Sequence, residues 1–491
     1  MDIYIDFITT TVRILFWFII LLVPLVVFHE FGHFLMAKLT KTRVPEFGVG
    51  IPPRAFSRRW KGVLWSLNSI PLGGFVRIFG DGDAADAALD ARQQIDQNNS
   101  ETDPKKAKLL KKEALNQLKD QYIVERFQEL EQNLELDYFL ETQGLSLTPE
   151  WLKQIKDKQL DDTKMEQVKT LIAWEFEALP KNKEVFHNKP FWAKILVMLG
   201  GVMANFLLAW AILTVLLATV NISPAIFPDG PVSLAGIELS FMSKTSTDKL
   251  QRSSVGTSMT VTAVQKDSLA EQQGLKPNDK ILSLNDQEFS QTDDFVKTLE
   301  RLGGTNVNLK IQDFASGVVS DKKFDLPIKE AGKYQLGVGT VHLYTFKASN
   351  LWDAMVISVD IVWSVAIALL MILGGIFQAL FGLTPNREIL NAVGGPVSIG
   401  NQGNTIFVNF GFEGIMATLA LLSINLGIFN LLPVPALDGG RIVILSLQKI
   451  TGKRNRKLEY IVITTTFMLL ILLGVVVMVK DVIQLPSGGG L

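Results

Sequence analysis

Five consecutive residues carry the first chemical signal: His29-Glu30-Phe31-Gly32-His33. Histidines at i and i+4 of a helix stand on one face, one turn apart, so both imidazoles can reach a single metal ion. Neutral imidazole is a good zinc ligand, and two from one rigid element fix half of a tetrahedral set. Glu30, next in sequence, is placed to take a proton from an activated water without itself ligating. An isolated match of this kind is often accidental. Here it lies in an apolar run, residues 8–39, of which 14–28 are almost wholly apolar. Ionisable groups in such a run are costly and usually functional, and a bound metal would give Glu30 a cationic partner.

A hydrolytic zinc site takes a third protein ligand and keeps a fourth position open for water. The chain has no cysteine, so thiolate ligands, thiolate nucleophiles and disulfides are excluded. Its histidines are His29, His33, His187 and His342. The charge pattern described below places His342 on the opposite side of a membrane, which makes it a poor ligand. His187 lies on the same side as His33 and stays open. The favoured third ligand is Asp438, in Asn430-Leu-Leu-Pro433-Val-Pro435-Ala-Leu-Asp438-Gly439-Gly440, where an apolar run ends at the depth of His33. The competing reading makes Asp438 a solvated turn residue behind a pair of prolines.

The elements that must position these groups follow from composition. The chain has 491 residues, enough for several domains, with 48% apolar and 20% charged. A formal net charge of −1 gives no bulk basic character, so no nucleic-acid partner is expected. Four runs are long enough to cross a bilayer: 8–39, 192–220, 414–432 and 460–479. The first lacks the cleavage site of a signal peptide and is read as a retained span. A fifth apolar run covers 361–380. Lys and Arg cluster at 38–61 and at 441–457, and are absent from 1–10 and 221–240. The positive-inside rule then puts the N-terminus outside, 43–183 inside and 441–457 inside. A full crossing by 361–380 would turn the second cluster outward, so this run is expected to lie in the outer interface or to re-enter. A fifth true crossing is the alternative.

The resulting organisation is 1–82, first span and a strand-bearing segment; 83–185, a charged insertion; 186–221, second span; 253–343, a β-rich domain; 350–412, the interfacial run; and 413–491, third and fourth spans. Strands are predicted at 44–50 and 63–68, with turns at Ile51-Pro52-Pro53 and Pro71-Leu72-Gly73-Gly74. Residues 83–183 turn rich in Glu, Lys, Gln and Asp, with Leu109, Leu110, Leu115 and Leu118 at helical spacing. That pattern predicts a helical insertion with a solvated charged face and no catalytic role. In the β-rich domain, strands are predicted at 261–264, 280–284 and 307–312, and an amphipathic helix at 292–302.

These motifs together resemble the site-2 protease family of intramembrane zinc metalloproteases, in its bacterial regulator of sigma-E protease branch. The resemblance rests on His29-Glu-Phe-Gly-His33, on Asn430-Leu-Leu-Pro-Val-Pro-Ala-Leu-Asp438-Gly-Gly, on Phe47-Gly-Val-Gly50 with Asn68-Ser-Ile-Pro-Leu-Gly-Gly74, on Lys189-Pro-Phe-Trp192 leading to Asn205, and on Gly394-Gly-Pro396-Val-Ser-Ile399. It covers nearly the whole chain outside 83–183. It implies an α-helical integral membrane protein with four core transmembrane helices and a β-hairpin sheet over 44–75 dipping into the inner side of the bacterial plasma membrane. It implies Zn2+ held by His29, His33 and Asp438, catalysis by Glu30, and substrate positioning by Asn205 and Asn430. It further implies an external PDZ-like domain, from the match over 270–285, that could take a substrate C-terminus. The implied activity is hydrolysis of membrane-spanning proteins, such as anti-sigma factors or signal-peptide remnants, in regulated intramembrane proteolysis. The sequence departs from the family at Gly200-Gly201-Val202, where Ala-Gly-Pro is usual, at Asn278 in place of glycine, and in its single PDZ-like stretch and long insertion. Two other classes compete: a non-catalytic membrane scaffold with a PDZ-like module, and an ion-coupled transporter, for which no inverted repeat is evident.

Overall fold

A computed structural model describes residues 2–97, 103–133, 135–219, 233–234, 237–238, 250–265, 268–276, 279–289, 292–302, 305–313, 318–325, 336–380, 396–452 and 454–484. Gly394, Gly395 and Asn278, used in the sequence comparison, lie outside these. Most of the chain is helical. Five helices among the described residues are long and apolar enough to cross a membrane: Ile8–Leu39, Phe191–Thr219, Leu351–Gln378, Gly411–Leu431 and Arg456–Asp481. The run expected along the outer interface is therefore part of a helix that meets the same length and composition requirement as the other four.

The chain divides into two compact units. One gathers residues 22–205 and 429–469. It begins in α1 (Asp2–Leu39), an unbroken helix that contains Pro24. Two long strands follow, β1 (Glu46–Trp60) and β2 (Val63–Arg77). Their register gives the start of β1 two neighbours: Phe47 lies opposite Trp65 and opposite Val76. The proline-bearing segments predicted as turns are absorbed into these strands. Proline removes a ladder donor, and the pairing accommodates it by register shifts on either side of Ile51. Phe47, Val63 and Ile78 bury against Ala37 of α1, and Phe34 meets Phe47 and Trp65 ring to ring at 5.7 and 5.3 Å.

The described residues of the insertion form the α-helices α2 (Ala84–Gln97), α3 (Pro104–Gln132), α4 (Leu136–Thr142), α5 (Pro149–Lys156) and α6 (Asp162–Ala178). Local chemistry starts three of them. Asp103, Thr148 and Asp161 each accept a hydrogen bond from an amide of the first turn, and Pro104 and Pro149 occupy positions whose N–H would go unused. Leu109 and Leu110 are exposed. The core is instead Tyr122, Leu130, Phe139, Leu140, Ile172 and Phe176. After it comes α7 (Phe191–Thr219).

The other unit gathers residues 1–21, 206–428 and 470–491. Two short strands, β3 (Ser233–Leu234) and β4 (Ile237–Glu238), pair with each other. A five-stranded antiparallel sheet, in the order β8-β7-β6-β5-β9, contains β5 (Leu250–Val264), β6 (Lys280–Leu284), β7 (Asn306–Gln312), β8 (Val319–Asp325) and β9 (Val338–Ala348). Val307, Leu309 and Ile311 alternate inward along β7, as a half-buried strand requires. They pack with Phe295 and Leu299, one turn apart on α9 (Thr292–Arg301); the four-residue α8 (Leu269–Gln272) adds Ala270. Beyond the sheet, α10 (Leu351–Leu380) packs Ala354, Ile357 and Ile361 against Leu213 of α7 and Ala420 of α11 (Pro396–Leu431). Trp210 donates its indole N–H to the Met355 carbonyl at 3.1 Å. Gly411, at φ 60° and ψ −151°, breaks α11, so the apolar portion starts there. The last helices are α12 (Asp438–Thr451) and α13 (Arg456–Gln484).

Candidate metal centre

The i, i+4 spacing delivers what it predicts. His29 and His33 are both buried on one face of α1, their ring centroids 4.8 Å apart and nearly perpendicular, with the two Nε2 atoms 3.2 Å apart. Asp438 joins them from the far end of the chain. Its Oδ2 lies 3.2 Å from His29 Nε2 and 3.3 Å from His33 Nε2. The segment before it folds back tightly on the start of α12. A Cβ on Gly439 would run into the Leu431 carbonyl, and one on Gly440 into that of Val434, so both positions admit only glycine. This holds the Asp438 carboxylate in the first turn of a helix, where negative charge is favoured.

Two contacts from α7 orient the rings. His33 Nδ1–H donates to the Val197 carbonyl at 2.8 Å, which leaves Nε2 as a bare lone pair. The amide nitrogen of the fully buried Asn205 lies 3.0 Å from His29 Nδ1; with the two ends of that amide exchanged, its oxygen would accept from Nδ1–H and set the same tautomer as in His33. Gly201 supplies the room. A Cβ at that position would stand 2.5 Å from His29 Cε1 and from His33 Nε2. The neighbouring Gly200 meets Gly32 backbone to backbone. The small residues of this stretch thus serve the imidazoles as well as helix packing.

With both imidazoles in that tautomer, three electron-rich atoms face one another without a proton and repel unless a cation sits between them. Donors bound to zinc at 2.0–2.2 Å in a tetrahedron are separated by about 3.3–3.6 Å. The spacings of 3.2, 3.2 and 3.3 Å match one triangular face of that figure and leave the fourth corner open. Among the described residues these three form the one group of His, Asp or Glu side chains able to hold a metal. His187, which the sequence left open as a ligand, is engaged elsewhere, 2.8 Å from Asp86 Oδ1 and beside Arg454. His342 lies in β9, opposite Met259.

A cavity of about 280 Å3 adjoins the three donors, lined by Glu30, Gly74, Phe75, Val76, Met198 and Asn430, with Asp438 and both histidines. Glu30 accepts a hydrogen bond from the Val76 backbone amide, and a Cβ on Gly74 would stand 3.1 Å from Glu30 Cγ. The end of β2 therefore lies against the acid–base candidate. Sequence reasoning found His29, Glu30, His33, Asp438, Asn205 and Asn430, all of which line or touch this site. It missed the Val197 carbonyl, the Val76 amide and the steric role of Gly201.

Paired helical imidazoles completed by a carboxylate, with a glutamate beside them in an apolar helix, define a membrane-embedded zinc metalloprotease. The profile of peptidase family M50 matches residues 17–473, and the chain belongs to that family, the site-2 proteases. Its relatives agree. A protein of Streptococcus pyogenes serotype M6 is 29% identical over 454 residues, covering 89% of this chain and 90% of its own length. The zinc metalloprotease RasP of Oceanobacillus iheyensis is 27% identical over 476 residues, covering 95% and 98%. A Staphylococcus aureus protein is 25% identical over 487 residues, covering 95% and 97%. Family and helices together make this a multi-pass membrane enzyme that uses Zn2+.

Proposed function

We propose that this protease cuts membrane-spanning proteins at the centre formed by His29, His33, Asp438 and Glu30. The supporting observation is the triangle of three donor atoms at 3.2, 3.2 and 3.3 Å, beside a carboxylate outside that triangle. Zinc held there by His29, His33 and Asp438 would supply a Lewis acid, acidifying water and balancing negative charge as it develops on the scissile carbonyl. Glu30 takes the proton of the attacking water and passes it to the leaving amine. Val76, through its amide, holds the Glu30 carboxylate toward the cavity. A helical substrate hides its carbonyls in its own hydrogen bonds and must unwind to be cut. The edge of β2 at Gly74–Val76 offers the unwound segment replacement partners by strand addition, with Asn205 and Asn430 positioning it.

The charge distribution favours an N-terminus and five-stranded sheet domain on the outer face of the plasma membrane, and the insertion on the inner face. On this reading α10 lies along or re-enters the outer face although it is long enough to cross. The sheet domain is PDZ-like; it would take a substrate C-terminus or exclude bulky ectodomains. Anti-sigma factors and signal-peptide remnants are the substrate classes to test first, as steps of regulated intramembrane proteolysis.

The experiment is a Glu30→Gln substitution, with zinc content and membrane-fragment proteomics read together. The expected result is full zinc occupancy with loss of cleavage and accumulation of uncut membrane fragments. An unchanged fragment profile would overturn the role of Glu30, and a folded wild-type protein that binds no metal would favour a scaffold.

A further inference from the structure

The helical insertion grips the sheet at successive points along the end of α3 and the start of α4. The Gln132 carbonyl accepts from Arg54 Nη1 at 3.4 Å. The Glu135 carboxylate pairs with Arg77. The Tyr138 ring lies 4.6 Å from the Arg59 guanidinium, and its hydroxyl stands where a Cβ on Gly62 would approach to 2.5 Å. Gln132, Glu135 and Tyr138 thus touch both long strands and the turn between them.

Glu46, the first residue of β1, joins these contacts into one chain of charge. It accepts from Arg54 Nε at 2.9 Å, Arg54 Nη2 at 2.6 Å and Ser66 Oγ at 2.7 Å, and lies 3.4 Å from Arg77 Nη2. Two guanidiniums and two carboxylates alternate, and the Glu46 and Glu135 side chains are only 1% and 2% exposed. Burial works to raise the Glu46 pKa, but the bonds from Arg54 and Ser66 and the charges of Arg54 and Arg77 hold it below the usual carboxylate range. Carboxylates this deep are costly unless paired, and removing one partner leaves the others uncompensated.

The position of Arg77 gives the network its consequence. Arg77 ends β2, and the three residues before it, Gly74, Phe75 and Val76, line the cavity that contains Glu30. The link from β2 into the insertion is tied to the helix that bears Asp438: Asp81 pairs with Arg441 at 2.5 Å, three residues beyond Asp438. Asp86 adds Arg454 at 2.7 Å and His187 at 2.8 Å.

We propose that helices α2–α6, with Glu135 at the start of α4, form a brace that sets the end of β2 against the reaction site, with Glu135 and Arg77 as positioning residues for the substrate strand. This rests on the reading of β2 as the docking edge. A loosened brace weakens seating of the substrate and leaves the acid–base and metal groups in place, so it acts on KM more than on kcat.

The test uses the full-length enzyme in lipid vesicles with a single-span substrate. Glu135→Gln keeps the shape and removes the charge, and Tyr138→Leu removes the ring–guanidinium contact while keeping apolar bulk. Each variant is read by kcat, KM, zinc per chain and amide hydrogen exchange. For Glu135→Gln the expected result is a KM raised about tenfold with kcat within about twofold, zinc unchanged and faster exchange confined to residues 74–77. Tyr138→Leu should act in the same direction and less strongly. Unchanged KM and unchanged exchange in both variants overturn the brace. So does a fall in zinc content together with kcat, which would make the insertion a support for the metal instead. If wild type cleaves nothing yet exchange at 74–77 still responds to Glu135→Gln, the brace stands and the protease reading falls.

Discussion

A methyl group added at Gly201 points into the pair of imidazoles. It would stand 2.5 Å from His29 Cε1, 2.5 Å from His33 Nε2 and 2.6 Å from His29 Nε2. Non-bonded carbon contacts are comfortable at about 3.5–4.0 Å, so the overlap is about 1 Å on both rings. Neither ring can simply turn away. His33 is tied to the Val197 carbonyl and His29 faces Asn205, and both partners ride on α7, the helix that would carry the methyl. The overlap is relieved by withdrawing α7, which pulls both partners off the imidazoles and opens the Gly32–Gly200 contact. Loss of such outer partners costs about 10–100-fold in metal affinity, and a misplacement of about 1 Å costs about a hundredfold in rate. Gly201→Ala should therefore lose zinc in a chelator titration at 10–100-fold lower chelator strength, on the order set by those partners, and cleave a reporter substrate about a hundredfold more slowly. Gly474→Ala is the control, because nothing lies within 4 Å of its added Cβ. A Gly201→Ala protein with wild-type zinc retention and wild-type rate would refute the steric account and the tautomer argument with it.

Asn205→Ala leaves the helix intact and removes the group facing His29 Nδ1, so zinc affinity should fall about 10–100-fold with little change in melting temperature; equilibrium dialysis of zinc checks it. Asp83 gives a pH dependence. Its carboxyl is pushed up to about 7, first by burial and then by the Glu129 charge, against the amides of Gly80 and Asp86 and the Arg126 charge. A carboxyl raised in the folded state contributes stability that is complete below its ordinary value of 3.8 and lost as pH rises through about 7. The melting temperature of the solubilised protein should accordingly fall between pH 5 and pH 8, and Asp83→Asn should flatten that slope. The absence of cysteine makes topology directly testable. A single cysteine at Lys111 should react with a membrane-impermeant maleimide only after lysis, and one at Lys280 in intact cells; the reverse pattern would invert the orientation.

The parts of this protein legible in the sequence are those whose geometry is local. A histidine pair one turn apart is placed by the helix itself, and the helix is announced by its apolar run. Asp438 was reachable because an apolar run ends there, and the charge pattern assigns that end to the side of His33. The helical character of the insertion was legible too, through its charged composition and the spacing of its leucines, but its core was not: Leu109 and Leu110 face outward while Tyr122 and Phe139 bury. Helical spacing fixes which residues share a face, and only packing decides which face turns inward. The proline and glycine segments at 51–53 and 71–74 mislead for a related reason. They break a regular ladder, and β1 and β2 pass through them by shifting register. Charge is the least legible quantity of all. In a stretch dense with Lys and Glu, nothing local separates Glu135, which is buried on Arg77, from Glu131 or Glu141, which are not buried. Arg126 is fully buried between Glu175 and the Phe79 ring, amid residues that a composition-based reading assigns wholesale to solvent. A solvated charged face and a buried ionic joint have the same composition, and the second forms only where another element brings the counter-charge. The insertion that composition marks as peripheral is for that reason the place where the buried contacts to the end of β2 were hidden.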